Sequence, residues 1–114
     1  MCSLVIADAS AKVIARCDPS LVTIVAMGEG RNTRTDEDEQ CALYLRNLLQ
    51  GRIPNGGAVK DLVLSGESSL QFDDLDKHQF HPMDREIALR IDSYSFAIKV
   101  SRRDGLLVAE PEHV

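Results

Sequence analysis

The sequence predicts an α/β fold, with a mixed sheet that has a central parallel strand, flanking helices and a C-terminal β-hairpin. Residues 21–27, LVTIVAM, are apolar without polar alternation, which is typical of a parallel strand covered on both faces. Helical periodicity begins near residue 36, and an Asp-Gly pair separates two strand-like segments at the end of the chain. A chain of 114 residues has room for one core, so we expect a single α/β domain over residues 1–114.

The first predicted elements are a short strand and a helix. Residues 3–5, SLV, are suited to the strand, and Asp8 is a suitable N-cap for the helix that follows. Asp18 and Pro19 then break the helix before residues 21–27. One face of this helix would carry its apolar residues, namely Ala9, Val13, Ile14 and Cys17.

The most regular helical pattern in the chain starts at Thr35. Acidic residues fill its first turn, at positions 36–38, where the helix dipole stabilises negative charge. Gly51 is placed to act as the C-cap. The apolar stripe of this helix consists of Cys41, Leu45, Leu48 and Leu49.

The second half of the chain predicts shorter elements. A helix over 58–65 is followed by residues 66–81, which lack a persistent period and predict a surface loop. A second helix restarts at Pro82 and reaches residue 91. Residues 94–100 alternate like a half-exposed strand, and RRDG at 102–105 turns the chain into the last strand of the hairpin.

Composition and charge exclude several function classes. The net charge is −5 and the 13 Lys and Arg residues are scattered. Binding to nucleic acid or to an anionic membrane is therefore not expected, because it needs concentrated positive charge. Two Tyr and three Phe, without any Trp, are too few for a platform that stacks bases.

Cysteine usage and hydropathy indicate the compartment. Cys2, Cys17 and Cys41 are odd in number and lack CxxC spacing, which favours reduced thiols over a disulfide framework. The amino terminus has no basic leader, and no apolar run approaches the roughly 18 residues that span a bilayer. We therefore expect a cytoplasmic protein.

The segment GEGR at 28–31 is the first candidate for chemistry. Gly28 and Gly30 follow the predicted strand and precede a helix, so their N–H groups, with Arg31 and Arg34, are placed to bind an anion. The segment lacks the GK[ST] of a P-loop and the third glycine of a dinucleotide-binding turn. The spacing leaves two interpretations open, a phosphate site or a simple turn.

The acids that follow also admit two interpretations. Thr35 and Asp38 match a capping box, which would make the acids a solvated helix start. Alternatively, one or two of Glu29, Glu37 and Asp38 coordinate Mg²⁺, which prefers carboxylate and water oxygens and needs few protein ligands beside a phosphate. The pattern alone does not choose between them.

Three other groups of residues are weaker candidates. His78 and His81 have a spacing found in zinc sites, but no further ligands lie near enough in sequence. The acids of DDLD at 73–76 fit a solvated loop better than a cation site. Cys41 follows a helix N-terminus, which lowers a thiol pKa, yet its place on the apolar stripe favours a buried structural thiol.

Four segments occur in an order that is shared with one known family. SLVIADASAKVI at 3–14 is similar to a serine-containing segment before a helix, and LVTIVAMGEGR at 21–31 to a strand with a glycine turn. EDEQCALYL at 37–45 is similar to an acidic pair followed by Cys and a small residue. DREIALRIDSYSFAIKVSRRDGLLVA at 84–109 is similar to a closing helix, strand and hairpin. Together they resemble the Mg²⁺-dependent 2-phosphosulfolactate phosphatases of coenzyme M biosynthesis.

The resemblance implies a Mg²⁺-dependent phosphatase that hydrolyses a small organic phosphate. In the family, the reaction converts 2-phosphosulfolactate and water to sulfolactate and phosphate. Glu37 or Asp38 would bind Mg²⁺ or transfer a proton, and Arg31 would neutralise charge that develops on the phosphoryl group. Contacts with the substrate would come from Ser3, Gly28, Glu29 and Gly30.

The chain also departs from the family. It corresponds to the carboxyl-terminal half of family members, with Cys2 where they usually have Gly and Ile6 where they usually have Asn. The alternative function is therefore a non-catalytic, truncated or divergent α/β module that oligomerises or binds a small anion. Only residues 3–5 or 94–100 could supply a parallel neighbour for the central strand, which predicts an incomplete sheet with exposed edges. We therefore expect the partner to be a second copy of the chain or a separately encoded amino-terminal half.

Overall fold

The described part of the chain contains three α-helices followed by a β-hairpin. A computed structural model of the protein describes residues 1–28, 36–64, 87 and 89–114. A single 3₁₀ turn at Leu4–Ile6 leads directly into the first helix. The elements in chain order are α1 (Ala7–Arg16), α2 (Asp36–Leu49), α3 (Gly56–Leu64), β1 (Phe96–Arg103) and β2 (Leu106–His113).

The sheet is a two-stranded antiparallel hairpin, so the predicted mixed sheet with a central parallel strand is wrong. Residues 21–27 form no strand, and Leu21, Val25 and Met27 are 81%, 70% and 78% exposed. Residues 3–5, the nearest parallel candidate, lie in the 3₁₀ turn instead of a strand. Strand-like composition is not sufficient, because neither strand of the hairpin, the sheet found among the described residues, pairs with this segment.

α1 is confirmed as a helix, but its first turn is capped differently from the prediction. Asp8 lies inside the helix, and its N–H donates to Asp92 Oδ1 at 2.8 Å. Asp18, with a φ of 45°, turns the chain away after the helix. Cys17, which the periodicity assigned to the inner face, is exposed. The buried residues of α1 are all small, namely Ala7, Ala9, Ser10 and Ala11.

α2 and α3 confirm the predicted helices, with small changes at the ends. Gly51 follows α2 with a φ of 74°, the left-handed conformation that commonly ends a helix. α3 begins at Gly56, two residues before the predicted start. Its extra length follows from Asn55, because Asn55 Oδ1 accepts the Ala58 N–H at 3.1 Å and so acts as the N-cap.

The C-terminal hairpin is confirmed, and its strands are longer than predicted. Asp104 and Gly105 have φ values of 50° and 78°, which are those of a two-residue type I′ turn. Hydrogen-bonded and non-hydrogen-bonded pairs alternate from this turn, which makes Ile98 and Pro111 a non-hydrogen-bonded pair. The N–H that a proline lacks would point away from β1 at this position, so Pro111 does not interrupt the ladder.

The core lies where the 3₁₀ turn and the three helices meet the segment before β1. Tyr44, only 6% exposed, donates its hydroxyl to Asp92 Oδ2 at 2.6 Å. Asp92 also donates its N–H to the Leu4 carbonyl at 3.0 Å, which joins this segment to the 3₁₀ turn. The central cluster consists of Leu4, Ala7, Tyr44, Val63 and Leu89.

Two predicted elements fall largely outside the described residues. They are the surface loop over 66–81 and the helix over 82–91, together with His78, His81 and the acids at 73–76. Among the described residues, every helix falls short of the length and hydrophobicity that a membrane span requires.

Candidate functional site

The turn at Gly28 contacts the first turn of α2. Gly28 has a φ of 70°, a left-handed conformation that glycine adopts without steric cost, and its N–H donates to Asp38 Oδ2 at 3.0 Å. The capping-box interpretation assigned the Asp38 carboxylate to the start of its own helix, whereas this carboxylate accepts an amide from outside the helix. Two residues of the predicted site, ten positions apart, are therefore in direct contact.

Glu37 lies beside Asp38 and is half-buried. Burial, and to a lesser degree the charge of Asp38, raise the pKa of the Glu37 carboxyl above its usual range. Negative charge is therefore costly at this position, and a bound cation would relieve that cost. The described residues hold no group of three or more His, Cys, Asp or Glu side chains that could bind a metal ion. Mg²⁺ needs only one or two carboxylates when water and phosphate complete its shell, so Glu37 and Asp38 fit it.

The other predicted site residues are not seen in contact with Gly28 or Asp38 in the described part of the chain. Ser3 is exposed, its hydroxyl makes no cap hydrogen bond, and its carbonyl accepts the Ile6 N–H at 3.1 Å. The remaining candidates, Glu29, Gly30, Arg31 and Arg34, lie outside the described residues.

A pair of thiols lies next to the predicted site, and the sequence analysis missed it. The Cys2 and Cys41 side chains are neighbours that both pack against the core cluster, and Cys41 follows Asp38 by one turn of α2. The Cys2 thiol donates to the Ser3 carbonyl at 3.6 Å. The Cys41 thiol lowers the pKa of Cys2 to about 7; burial opposes this shift and the Ser10 hydroxyl supports it. The Cys2 thiol, then burial, raises the pKa of Cys41. The available signal was Cys2 itself, a thiol directly before Ser3.

One cavity of about 740 Å³ brings these residues together. Its polar lining includes Cys2, Ser10, Asp38 and Cys41, and its apolar wall includes residues 21–27. Ser10 is 4% exposed, and its Oγ has no hydrogen bond of normal geometry among the described residues, although it lies near the Cys2 thiol. The cavity thus combines three thiols, two carboxylates, an amine and a buried hydroxyl with a largely apolar surface, the additional thiol and charged residues being Cys17, Lys99 and Glu112.

The arrangement can serve two kinds of chemistry. No protein family, curated protein or solved structure matched the chain. Function therefore rests on the site and on the motifs of the sequence. The contact of Gly28 with Asp38, which neighbours Glu37, is suited to a cation and an anion bound side by side. The proximity of Cys2 and Cys41 is suited to thiol chemistry.

Proposed function

We propose that the chain is a Mg²⁺-dependent phosphatase-like hydrolase of a small organic phosphate, similar to the 2-phosphosulfolactate phosphatases that its motifs resemble. The observation that supports this proposal is the hydrogen bond from Gly28 N–H to Asp38 Oδ2 at 3.0 Å. It holds the glycine turn against the acidic start of α2, two features that this chemistry requires together. We further propose a cytoplasmic location, which suits three free cysteines.

Hydrolysis of a phosphate monoester requires neutralisation of a doubly charged group and placement of a water molecule behind the phosphorus atom. Glu37 and Asp38 would hold Mg²⁺, which supplies positive charge to the phosphoryl oxygens when it is bound. The raised pKa of Glu37 supports this role, because a carboxyl that is unfavourable as an anion gains most from a nearby cation. Either acid would also be able to accept a proton from the water.

The turn after residues 21–27 would bind the substrate. The Gly28 N–H donates to Asp38 Oδ2, so it would donate to a phosphoryl oxygen only once Asp38 turns to Mg²⁺. The Gly30 N–H would be a second donor, and Arg31 would neutralise the charge that develops during transfer. Ser3 and Glu29 would contact the organic part of the substrate. The open, largely apolar cavity beside Asp38 leaves room for a small carbon skeleton.

The direct test is an assay of phosphate release. A panel of phosphate monoesters, 2-phosphosulfolactate among them, would be incubated with the purified chain with and without Mg²⁺. We expect Mg²⁺-dependent release from at least one ester and a loss of about 100-fold or more in Asp38→Asn. Asp61→Asn, the same change on the exposed side of α3, serves as the matched control and should keep full activity. Absence of Mg²⁺-dependent turnover on every ester would refute the proposal.

A second candidate is a non-catalytic module that associates with itself, with a separately encoded amino-terminal half or with a small anion. The observation that favours it is the exposure of Leu21, Val25 and Met27, which present apolar surface to solvent. A homodimer would bury this surface. Sedimentation analysis that compares the wild type with Val25→Asp tests for such a homodimer, since a dimer that depends on this surface should dissociate in the variant. If the wild type is a monomer at every concentration, self-association is excluded.

A further inference from the structure

The contact between Cys2 and Cys41 joins two parts of the chain that are distant in sequence. Cys2 lies in the segment before the 3₁₀ turn, and Cys41 lies on α2. Both side chains pack against the same core cluster and line the same cavity, and their thiols are near enough for each to alter the pKa of the other. Both are free cysteines of intermediate exposure. The two sulfur atoms are therefore held together by the fold before any bond forms between them.

Solvent reaches both thiols through the cavity. Cys2 and Cys41 line it, and its volume of about 740 Å³ admits a small oxidant without any rearrangement of the helices. Ser10, which is buried and lacks a normal hydrogen bond among the described residues, lines the same cavity and lies near the Cys2 sulfur. Its hydroxyl is placed to stabilise charge on that sulfur.

We propose that Cys2 and Cys41 form a reversible disulfide when the chain meets a hydroperoxide, with Cys2 as the attacking thiol and Cys41 as the resolving one. The pair does not depend on the proposed hydrolase function, since neither sulfur is needed for phosphate release. It constitutes a second site on the same cavity, one that takes peroxides as its substrate class.

The chemistry proceeds in two steps. The deprotonated Cys2 sulfur attacks the terminal oxygen of the hydroperoxide, and the O–O bond breaks. Cys2 becomes a sulfenic acid, and the remaining oxygen leaves as an alcohol or as water after it takes up a proton. The Cys41 sulfur then attacks the Cys2 sulfur, the S–O bond breaks, and the hydroxide leaves as water with the Cys41 proton. Two electrons pass from the sulfur pair to the peroxide.

The electrostatics of the pair assign the roles. The Cys41 thiol, with support from Ser10, lowers the pKa of Cys2 to about 7, so Cys2 is the thiol that ionises first. The pKa of Cys41 is raised, which suits a thiol that retains its proton until the second step. Cys17, exposed at the end of α1, lines the same cavity and is the internal competitor for either partner.

A disulfide here would affect the neighbourhood of the proposed phosphate site. It would fix Cys2, and with it Ser3, covalently to α2 one turn after Asp38. The cavity would lose its two thiol groups at the same time. Oxidation would therefore restrict the segment before the 3₁₀ turn while leaving the contact between Gly28 and Asp38 in place.

Peptide mapping after oxidation tests the proposal. The full-length chain is treated with graded hydrogen peroxide, remaining thiols are alkylated, and the protein is digested with trypsin. Each cysteine falls in its own tryptic peptide, at residues 1–12, 17–31 and 35–46. We expect a dominant link between 1–12 and 35–46, with the loss of two hydrogen atoms from the intact mass, and complete reversal by dithiothreitol. A dominant link to 17–31, or oxidation of Cys2 to sulfinic acid without any link, would overturn the proposal.

Two variants separate the roles of the sulfur atoms. Cys17→Ser, the matched control, should form the same link with the same peroxide dependence. Cys41→Ser should form no link within the chain, and its Cys2 should accumulate as a sulfenic acid that dimedone captures. A link between 1–12 and 17–31 in Cys41→Ser that is as abundant as the wild-type link between 1–12 and 35–46 would contradict the assignment, because Cys17 would then resolve Cys2 equally well. If that variant does not fold, the map of the wild type still decides, because it requires no substitution.

Discussion

Asp92 is the residue whose replacement most directly tests the packing behind the site. Its Oδ1 accepts the Asp8 N–H at 2.8 Å, and its Oδ2 accepts the Tyr44 hydroxyl at 2.6 Å. Its φ of 55° is left-handed, a conformation that Asp and Asn tolerate better than Ala. Asp92→Ala removes both acceptors and imposes a conformational penalty as well.

The expected loss of stability is the sum of three effects. The hydrogen bond from Tyr44 to a carboxylate is worth about 1.5 kcal/mol, the low end of the range for charged partners, because Asp92 is exposed. The hydrogen bond from the Asp8 N–H, a donor in the first turn of α1, to Asp92 Oδ1 is worth about 1 kcal/mol. Placing Ala in the left-handed region costs about 1 kcal/mol. Asp92→Ala should therefore lower the free energy of unfolding by about 3.5 kcal/mol, a large part of the stability of a small domain.

Urea unfolding followed by far-ultraviolet circular dichroism measures this loss, since the chain has no Trp for fluorescence. Asp92→Asn is the matched control, because it keeps a side-chain oxygen and a residue that accepts the left-handed region. It should lose only about 1 kcal/mol. Tyr44→Phe should lose about 1.5 kcal/mol and should not add fully to Asp92→Ala, since the two changes remove one shared bond. A loss in Asp92→Ala no larger than in Asp92→Asn would refute this reasoning.

Three further predictions concern titration and backbone conformation. Because the pKa of Glu37 is raised, the folded chain retains a proton that the unfolded chain releases, so this group costs stability as the pH rises above 4.5. Glu37→Gln should therefore raise the melting temperature at about pH 7 but not at about pH 4. Equal increases in melting temperature at the two pH values would show that the raised pKa of Glu37 is not the cause. Alkylation of Cys2 should reach half its maximal rate near pH 7, and Cys41→Ala should move this midpoint upward, as timed mass spectrometry would show. An unchanged midpoint would exclude Cys41 as the cause. Gly105→Ala should cost about 1 kcal/mol in urea unfolding because its φ is 78°, whereas Gly57→Ala, inside α3, should not destabilise the chain. Equal losses in the two glycine variants would argue against the turn conformation.

The elements that the sequence predicted correctly are those with local determinants. α2 has its acids and Gly51 within one helix length, and the hairpin has its Asp104 and Gly105 turn between two alternating segments. Residues 21–27 have strand composition as well, but a strand exists only with a hydrogen-bonded neighbour. Whether a neighbour is available depends on tertiary structure, and composition does not report it.

The contacts of the candidate site are likewise of two kinds, local ones that the sequence predicts and non-local ones that it does not. The proximity of Gly28 to Asp38 follows from chain order, since a glycine turn that precedes a helix lies near its first turn. Contacts of Asp92 join positions that are 84 and 48 residues apart, and the contact of Cys2 with Cys41 is equally non-local. Periodicity and spacing in the sequence do not predict such non-local contacts, so they are seen only in the three-dimensional structure.

The pairing of Ile98 with Pro111 has a consequence for how copies of the chain can meet. The outward carbonyl of Ile98 already accepts the Met1 amino group at 3.0 Å, and Pro111 has no outward N–H to offer. Both outer edges of the hairpin are therefore blocked at the same level, one by an occupied acceptor and the other by a missing donor. Growth of the hairpin into a fibril by adding strands is disfavoured at this point, and the exposed apolar residues of 21–27 become the more vulnerable place for aggregation.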